Sequence, residues 1–351
     1  MKNFKQLLAD RKHSAASYAI VIIGFLVIQI MIATGNISSS LKGQLVPICA
    51  YIVMAVSLNL TVGILGELSL GHAGFMSVGA FTGIVVSTSL AGAIPNGPVR
   101  LIIAMLAAGL FAGIAGLIVG IPVLRLKGDY LAIVTLAFGE IIKNIINVLY
   151  IGFDENGLHL SILSQKFTLA EGGSMIINGP MGVSGVQKLS SFTAGFLLIL
   201  LTLFVVLNLI NSRTGRAVMA VRDNKIAAES IGLSVTRCKL LTFVISAVFA
   251  GMAGTLYAMN YSTVTAAKFD FNTSILVLVF VVLGGLGNIW GSIIAAALLT
   301  VLPELLRSMN DYRMLIYAVL LIAMMIFNNS GLKKRLMESR KTRKAAPKEA
   351  N

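Results

Sequence analysis

The chain has 351 residues, of which 57% are hydrophobic and only 12% charged, and its mean hydropathy is +0.89. This composition excludes a soluble globular domain and is typical of an integral membrane protein. The net charge of +14 does not require nucleic acid, because the basic run KKRLMESRKTRK near the end of the chain is suited to anionic lipid headgroups. We therefore expect membrane lipid, and no nucleic acid, among the partners. Two isolated cysteines, Cys49 and Cys238, predict neither a disulfide framework nor a metal site.

Apolar segments long enough to cross the hydrocarbon core recur along the chain. Their Leu, Ile, Val, Ala and Gly runs lack the period-two alternation of barrel strands, so they predict helices. The predicted fold is all-α: a polytopic integral membrane protein with about ten transmembrane helices, two of them interrupted by glycines, in one permease domain covering residues 1–351. The predicted helices are centred near Phe25, Ala55, Ala80, Gly113, Leu136, Leu201, Val248, Val281, Ala297 and Leu320.

A first glycine cluster, GELSLGHAGFMSVGA at residues 66–80, places polar groups in a hydrophobic region. Glycines weaken a helix and leave backbone groups free to meet a solute. We take Glu67, Ser69, Gly71, His72 and Gly74 as candidates for lining a translocation path. Two alternatives stay open: Glu67 caps a helix N-terminus, and His72 is a hydrogen-bonded packing residue.

Two further patterns in the predicted spans are structural. Gly109, Gly113, Gly116 and Gly120 lie on one helical face and predict a close helix–helix seam. Glu140 and Lys143 are three residues apart and predict a neutralising ion pair, with substrate contact as the alternative.

Two loops are large enough to have a role of their own. The longer, residues 152–191, contains several turn-forming clusters and is either a docking surface or a disordered connector. The other, residues 211–239, predicts a short helix capped by Asp223 and ended by Gly232, with Ile226, Ala227 and Ile231 on one side and Ala227 and Ala228 forming a close-contact face. This helix fits a groove on a protein partner, or it lies on lipid.

A second glycine cluster, GGLGNIWG at residues 284–291, ends another predicted span near the same membrane face as the first. We predict that the two clusters are paired irregular segments flanking a path. The path candidates from this cluster are Gly284, Gly285, Gly287, Asn288 and Trp290.

The distribution of basic residues predicts the orientation. With ten spans, 20 of the 28 Lys and Arg residues fall on the side of the two termini, which the positive-inside rule places in the cytoplasm. The predicted cytoplasmic parts are the N-terminus (1–17), the loop 211–239 and the basic tail (331–351). Loop 152–191 is then on the outer side.

Four separated stretches, in order, resemble the permease subunits of branched-chain amino acid ABC importers, of the LivM type. They are LSLGHAGFMSVGAF (68–81), LKGDYLAIVTLAFGEII (126–142), SRTGRAVMAVRDNKIAAESIGLSV (212–235) and FVVLGGLGNIWGSIIAA (280–296). The resemblance implies a bacterial inner-membrane importer subunit with a coupling segment that docks into an ATP-binding subunit. By resemblance, the coupling residues are Gly215, Arg216, Ala217, Arg222, Asp223, Asn224, Ala227, Ala228 and Gly232.

The resemblance also implies the partners: a homologous second permease, two ATP-binding subunits and a periplasmic or lipid-anchored solute-binding protein. Because the chain has no P-loop motif, ATP and Mg are expected on the partner subunits, with no cofactor on this chain. It also has no metalloprotease or serine-hydrolase motif, so we expect a transport subunit rather than an enzyme. The alternatives are a permease for urea, an amide or another amino acid, a self-sufficient secondary transporter and, more remotely, a channel.

Overall fold

A computed structural model describes residues 4–35, 38–123, 130–154, 157–164 and 173–306, together with single positions between 312 and 326. The basic tail 331–351 lies outside the described residues, and of the predicted span near Leu320 only single positions are described. The helices are α1 (Phe4–Ala33), α2 (Ser39–Asn59), α3 (His72–Ser89), α4 (Gly97–Val123), α5 (Tyr130–Asn147), α6 (Phe192–Asn211), α7 (Arg213–Asp223), α8 (Lys225–Ser230), α9 (Val235–Ala258), α10 (Phe271–Gly284) and α11 (Ile289–Leu305).

The structure supports a membrane protein but does not confirm the number of spans. Within the described residues, six helical segments are long and apolar enough to cross a membrane. Two shorter apolar helices, Val21–Ala33 and Ile289–Leu305, add to these. Nine of the ten predicted span centres fall inside described helices, and the tenth, near Leu320, lies outside the described residues. The total of ten spans therefore stays a prediction. The six segments are 39–65, 97–123, 130–147, 192–211, 235–258 and 266–284.

The expectation of an all-α chain is wrong for the loop predicted at residues 152–191. This region contains an antiparallel sheet of strand order β2-β1-β3, formed by β1 (Leu149–Asp154), β2 (Gly157–Ile162) and β3 (Ser174–Asn178). A two-residue strand, β4 (Val183–Ser184), pairs with β5 (Thr263–Val264), which follows α9. The described part of the loop is therefore folded, and backbone pairing rather than helix satisfies its polar groups.

Helix α9 lies at the centre of the helical core, against α2, α3 and α4. A Cβ built at Gly79 of α3 would lie 2.1 Å from the carbonyl oxygen of Gly251, so the two backbones touch. The predicted glycine seam on α4 is confirmed at three of its four glycines, because Cβ atoms at Gly109, Gly113 and Gly116 would meet side chains of α9 at 2.7–3.1 Å. Small residues let these helices approach closely where lipid provides no hydrophobic force between them.

The helices separate two sets of connections. We call the side with strands β1 to β5 the sheet face, and the side with α7, α8 and both glycine clusters the α8 face. Strands β4 and β5 belong to connections far apart in sequence, yet they pair on the sheet face. The two glycine clusters likewise meet on the α8 face. The contacts divide the chain into two compact units, residues 1–298 and 299–351, and the features described below belong to the first unit.

Candidate functional site

The first glycine cluster ends a helix that changes its winding before it stops. α2 continues into a π-helical turn, Leu60–Leu65, which we call the π segment. Gly66 then adopts a left-handed conformation (φ +80°), which is costly for residues with a Cβ, and α3 begins only at His72. The first interruption is the π segment followed by the non-helical residues 66–71, and it lies between two helices. α3 is continuous through Gly74 and Gly79, so a helix interrupted by glycines is not confirmed here.

The second glycine cluster forms a turn between α10 and α11. Gly285 and Gly287 both have positive φ, +96° and +78°. The backbone N–H of Asn288 donates to the carbonyl of Gly285 at 2.9 Å and closes the turn. Its side-chain oxygen accepts a long hydrogen bond from the N–H of Gly291, 3.5 Å away, in the first turn of α11. The second interruption therefore also lies between two helices, and a helix interrupted by glycines is not confirmed. We call this connection the 285–288 turn.

The two interruptions are in direct contact through Asn59, which sequence analysis did not select. Its side-chain oxygen accepts a hydrogen bond from the N–H of Gly287 at 2.9 Å. Its amide nitrogen donates to the hydroxyl of Ser292 at 3.0 Å. A Cβ at Gly63 would lie 2.2 Å from the Gly287 nitrogen, so only glycine permits this approach. A lone amide within an apolar span was the available signal for Asn59.

The predicted coupling segment forms two helices, α7 and α8, which we call the α7–α8 unit. Asp223 is the last residue of α7 and does not cap the short helix, contrary to the prediction. Asn224 is the cap, and its side-chain oxygen accepts a hydrogen bond from the N–H of Ala227 at 3.1 Å. Gly232, with φ +84°, follows the end of α8 as predicted.

The residues of α8 divide into buried and exposed sets. Ala228 is 2% exposed and packs with Val221 and Val235 inside the unit, so the predicted close-contact face of Ala227 and Ala228 is wrong for Ala228. Ala227 is exposed, and Ile226 and Ile231 are 80% and 74% exposed. Large apolar side chains with this exposure fit a surface covered by a protein partner or by lipid, which are the two alternatives that the sequence left open.

The corner between α6 and α7 is closed by the other predicted coupling residues. A Cβ at Gly215 would lie 2.1 Å from the carbonyl oxygen of Leu209, and its N–H is capped by the hydroxyl of Ser212 at 3.0 Å. Arg216 donates to the carbonyl of Asn211 at 3.0 Å. Ala217 is half-buried beside them. These residues fix the angle at which α7 leaves the membrane helix.

Two cationic side chains connect the α7–α8 unit and α9 to the first interruption. Arg222 donates from Nη1 to the carbonyl of Gly63 at 3.1 Å and is held by the carboxylate of Asp223. Lys239 forms an ion pair with Glu67, so Glu67 has a cationic partner where the sequence suggested a path residue or a helix cap. Neither contact was predicted, because the partners are more than 150 residues apart in sequence.

Several predicted path residues lie in packed surroundings. The His72 ring nitrogen is 2.9 Å from the hydroxyl of Ser57 and the residue is 2% exposed, which supports the packing alternative. Cβ atoms at Gly71 and Gly74 would meet the backbone of α5 at 2.0 and 2.8 Å. Ser69 is buried, and among the described residues its hydroxyl has no hydrogen-bond partner.

The remaining predicted residues differ in exposure. Gly284 contacts the backbone of α11, since a Cβ there would lie 2.3 Å from the nitrogen of Ser292. Trp290 is 38% exposed, and Asn288 is partly buried. The predicted ion pair of Glu140 with Lys143 is present on α5. Within the described residues, no three His, Cys, Asp or Glu side chains are grouped to hold a metal ion.

Comparison with known proteins gives the family. Residues 40–327 match the family described as "Branched-chain amino acid transport system / permease component". The chain is 40% identical over 300 residues to the high-affinity branched-chain amino acid transport permease LivM of Escherichia coli, covering 80% of this chain and 67% of that protein. It is 39% identical to LivM of Salmonella typhimurium over 292 residues, with the same coverage of each chain.

A shorter similarity extends to a second permease of the same kind of system. The chain is 30% identical over 123 residues to LivH of Salmonella typhimurium, covering 34% of this chain and 40% of that protein. No solved structure matches the chain. The match does not favour the urea, amide or secondary-transporter alternatives, and it indicates a transport component rather than an enzyme. The chain belongs to the family of permease components of branched-chain amino acid transport systems.

Proposed function

We propose that this chain is the transmembrane permease subunit of an ATP-driven importer that moves leucine, isoleucine and valine into the cytoplasm after delivery by a solute-binding protein. The observation that carries the proposal is the family match over residues 40–327, together with relatives whose names state branched-chain amino acid transport. ATP and Mg bind to two separate ATP-binding subunits. The chain lies in the bacterial inner membrane beside a homologous second permease.

The α8 face is proposed as the cytoplasmic side, with both chain termini there. With ten spans, the loops on the same side as the loop 211–239 would hold 20 of the 28 Lys and Arg residues, which supports that orientation. The sheet face then meets the solute-binding protein. Its folded strands supply a fixed surface for this contact, whereas a disordered loop would first have to be ordered at an entropic cost.

The α7–α8 unit is proposed as the docking surface for an ATP-binding subunit. Ile226 and Ile231 are its apolar anchors, because both are exposed and burying them in a groove is favourable. Among the predicted coupling residues, Ala227 contacts the partner. Gly215, Arg216, Ala217, Arg222, Asp223, Asn224, Ala228 and Gly232 hold the unit in shape, as their contacts within the chain support.

The translocation path is proposed to run beside the two glycine interruptions. Glu67, Asn288 and Trp290 retain partial exposure and are the candidates for contact with the solute or for gating. Ser69, Gly71, His72, Gly74, Gly284, Gly285 and Gly287 shape the backbone around them. A path for branched-chain side chains needs little ionic recognition, and the solute-binding protein supplies the selectivity.

The proposal is tested by purifying the tagged chain from its native membrane in several mild detergents and identifying its companions. A second permease and two P-loop ATPases are expected. In proteoliposomes, leucine-loaded solute-binding protein is expected to stimulate ATP hydrolysis. Recovery of this chain alone in every detergent would contradict the importer, and a complex that leucine-loaded binding protein does not stimulate would contradict the substrate.

The docking surface has its own matched pair of variants. Ile226→Asp places a charge in the proposed interface without changing the core, so the ATP-binding subunits are expected to be lost on purification. Leu163→Asp changes a 77% exposed residue on the sheet face and is expected to retain them. Equal retention in both variants would contradict docking at α8.

A further inference from the structure

Both polar atoms of the buried Asn59 amide form hydrogen bonds, one to the 285–288 turn and one to the first turn of α11. Asn59 is 0% exposed within a 27-residue apolar segment, where an unpaired amide is costly. Its oxygen accepts from Gly287 and its nitrogen donates to Ser292, so both ends of the amide bond to residues that flank the start of α11. Movement of the π segment relative to α11 must therefore break or carry both hydrogen bonds.

The π segment that follows Asn59 has an alternative winding. A π turn contains one residue more than an α turn, and such turns are rare in proteins and concentrated at functional sites. Conversion to α winding shifts the residues beyond it by about one position, roughly 100° of rotation and 1.5 Å of rise. The hydroxyl of Thr61 is buried without a hydrogen-bond partner among the described residues, which is costly, and the segment also receives contacts from other parts of the chain.

Those contacts come from the α7–α8 unit and from the adjacent start of α9. Arg222 bonds to the carbonyl of Gly63 in the middle of the π segment, and its aliphatic stem covers Gly66, where a Cβ would lie 2.7 Å from Cγ. Asp223 accepts from Nε and Nη2 of the same guanidinium at 3.1 and 3.0 Å and fixes its orientation. The ion pair of Lys239 with Glu67 secures the chain just after the π segment.

We propose that the π segment, Leu60–Leu65, transmits movement of the α7–α8 unit to the 285–288 turn, with Arg222 and Asn59 as positioning residues at its two contacts. This inference rests on the proposed function, because it needs an ATP-binding subunit that moves the unit. Arg222 then acts inside its own chain, and the apolar residues of α8 meet the partner. Gly63 belongs to both contacts, since its carbonyl binds Arg222 and its Cα faces Gly287.

The test measures leucine molecules imported per ATP hydrolysed in proteoliposomes containing the complete transporter. Asn59→Leu keeps the side-chain size and removes both hydrogen bonds. Arg222→Met keeps the stem over Gly66 and removes the donors. Two controls match them in kind: Thr202→Val removes a buried hydroxyl that donates to a carbonyl of its own helix, and Arg237→Met removes an exposed arginine of α9, outside the α7–α8 unit.

Both variants are expected to retain hydrolysis stimulated by the binding protein while the ratio of transport to hydrolysis falls about fivefold, the scale of a modest coupling energy. The controls are expected to keep the wild-type ratio. Because both contacts act through one segment, the double variant is expected to lose no more than the worse single variant. Ser292→Ala removes one of the two Asn59 bonds and is expected to give a smaller fall.

A purely structural role lowers transport and hydrolysis together and leaves their ratio unchanged, and that result would overturn the proposal. Losses that multiply in the double variant would also overturn it, because they indicate independent sites. A wild-type complex with no stimulated hydrolysis would instead overturn the proposed function on which the inference rests, so the two failures are distinguishable.

Discussion

The glycines of α4 and those of the two interruptions show two uses of the same residue. On α4, Gly109, Gly113 and Gly116 lie at helical spacing within an intact helix, and the nearest atoms to their missing Cβ groups belong to side chains of α9. At the interruptions, a Cβ at Gly63 would lie 2.2 Å from the backbone nitrogen of Gly287. The side chains of Met252 and Val248 can rotate away from a methyl group added at Gly109 or Gly113, whereas a backbone atom in a fixed turn cannot. Spaced glycines therefore adjust packing, and clustered glycines determine the path of the chain.

The largest effect is expected from Gly63→Ala, which tests the backbone contact directly. The added methyl group must separate the π segment from the 285–288 turn and displace the amide of Asn59, whose oxygen would lie 1.9 Å away. We expect leucine uptake by the complete transporter in proteoliposomes to fall about tenfold or more. Uptake within about twofold of the wild type would show that the contact is dispensable.

Gly113→Ala tests the seam and is expected to affect stability rather than transport. Its Cβ would lie 2.8 Å from Cγ2 of Val248, and overpacking of this kind typically costs about 1–3 kcal/mol. The measurement is the unfolding temperature of the purified complex in detergent, alongside uptake per folded molecule. Adding Val248→Ala removes the clashing group and is expected to restore the unfolding temperature, and a failure to do so would contradict the seam.

Gly287→Ala separates backbone conformation from space. Its φ of +78° disfavours any residue with a Cβ, while the nearest atom would be 3.4 Å away and leaves room for a methyl group. The expected cost is about 1–2 kcal/mol of folding free energy, seen as a lower unfolding temperature. Gly287→Asn should cost less, because asparagine enters the left-handed region more readily, and equal losses would point to a steric cause.

The smallest effect is expected from Gly43→Ala near the start of α2, where no atom lies within 4 Å of the added Cβ. Alanine favours a helix interior over glycine by about 0.5–1 kcal/mol, so a slight rise in unfolding temperature is expected. Uptake should be unchanged. A loss of transport here would mean that a contact from outside the chain uses this glycine.

Patterns that are local in sequence were sufficient for much of the fold. The glycine seam followed from helical spacing. The clustered glycines marked breaks in the helices, but these breaks lie between α2 and α3 and between α10 and α11, and not within one helix as predicted. The cap of α8 was assigned one residue too early, because α7 continues through Asp223 and the side chain of Asn224 reaches the N–H of Ala227. The hairpin of β1 and β2 also had a local signal, since LHLSI alternates after an Asn-Gly pair.

Contacts between distant segments could not be predicted in the same way. Neither Arg222 with Gly63 nor Lys239 with Glu67 produces any periodicity, because each pair joins segments more than 150 residues apart. Buried ionisable residues near a glycine cluster suggested a solute path. Their partners show that at least Glu67 is neutralised by its own chain, which a sequence without its fold does not reveal.

The hydrogen bond between Asn59 and Ser292 has a consequence for how the protein is made. The two residues are 233 positions apart, so at about 5–20 residues per second the ribosome needs roughly 12–47 s between them. During this interval the amide of Asn59 is already synthesised and has none of its final partners. The contact between the two glycine clusters on the α8 face therefore forms late in biogenesis. A chain that stops before the second cluster leaves the amide of Asn59 without its hydrogen-bond partners inside the bilayer.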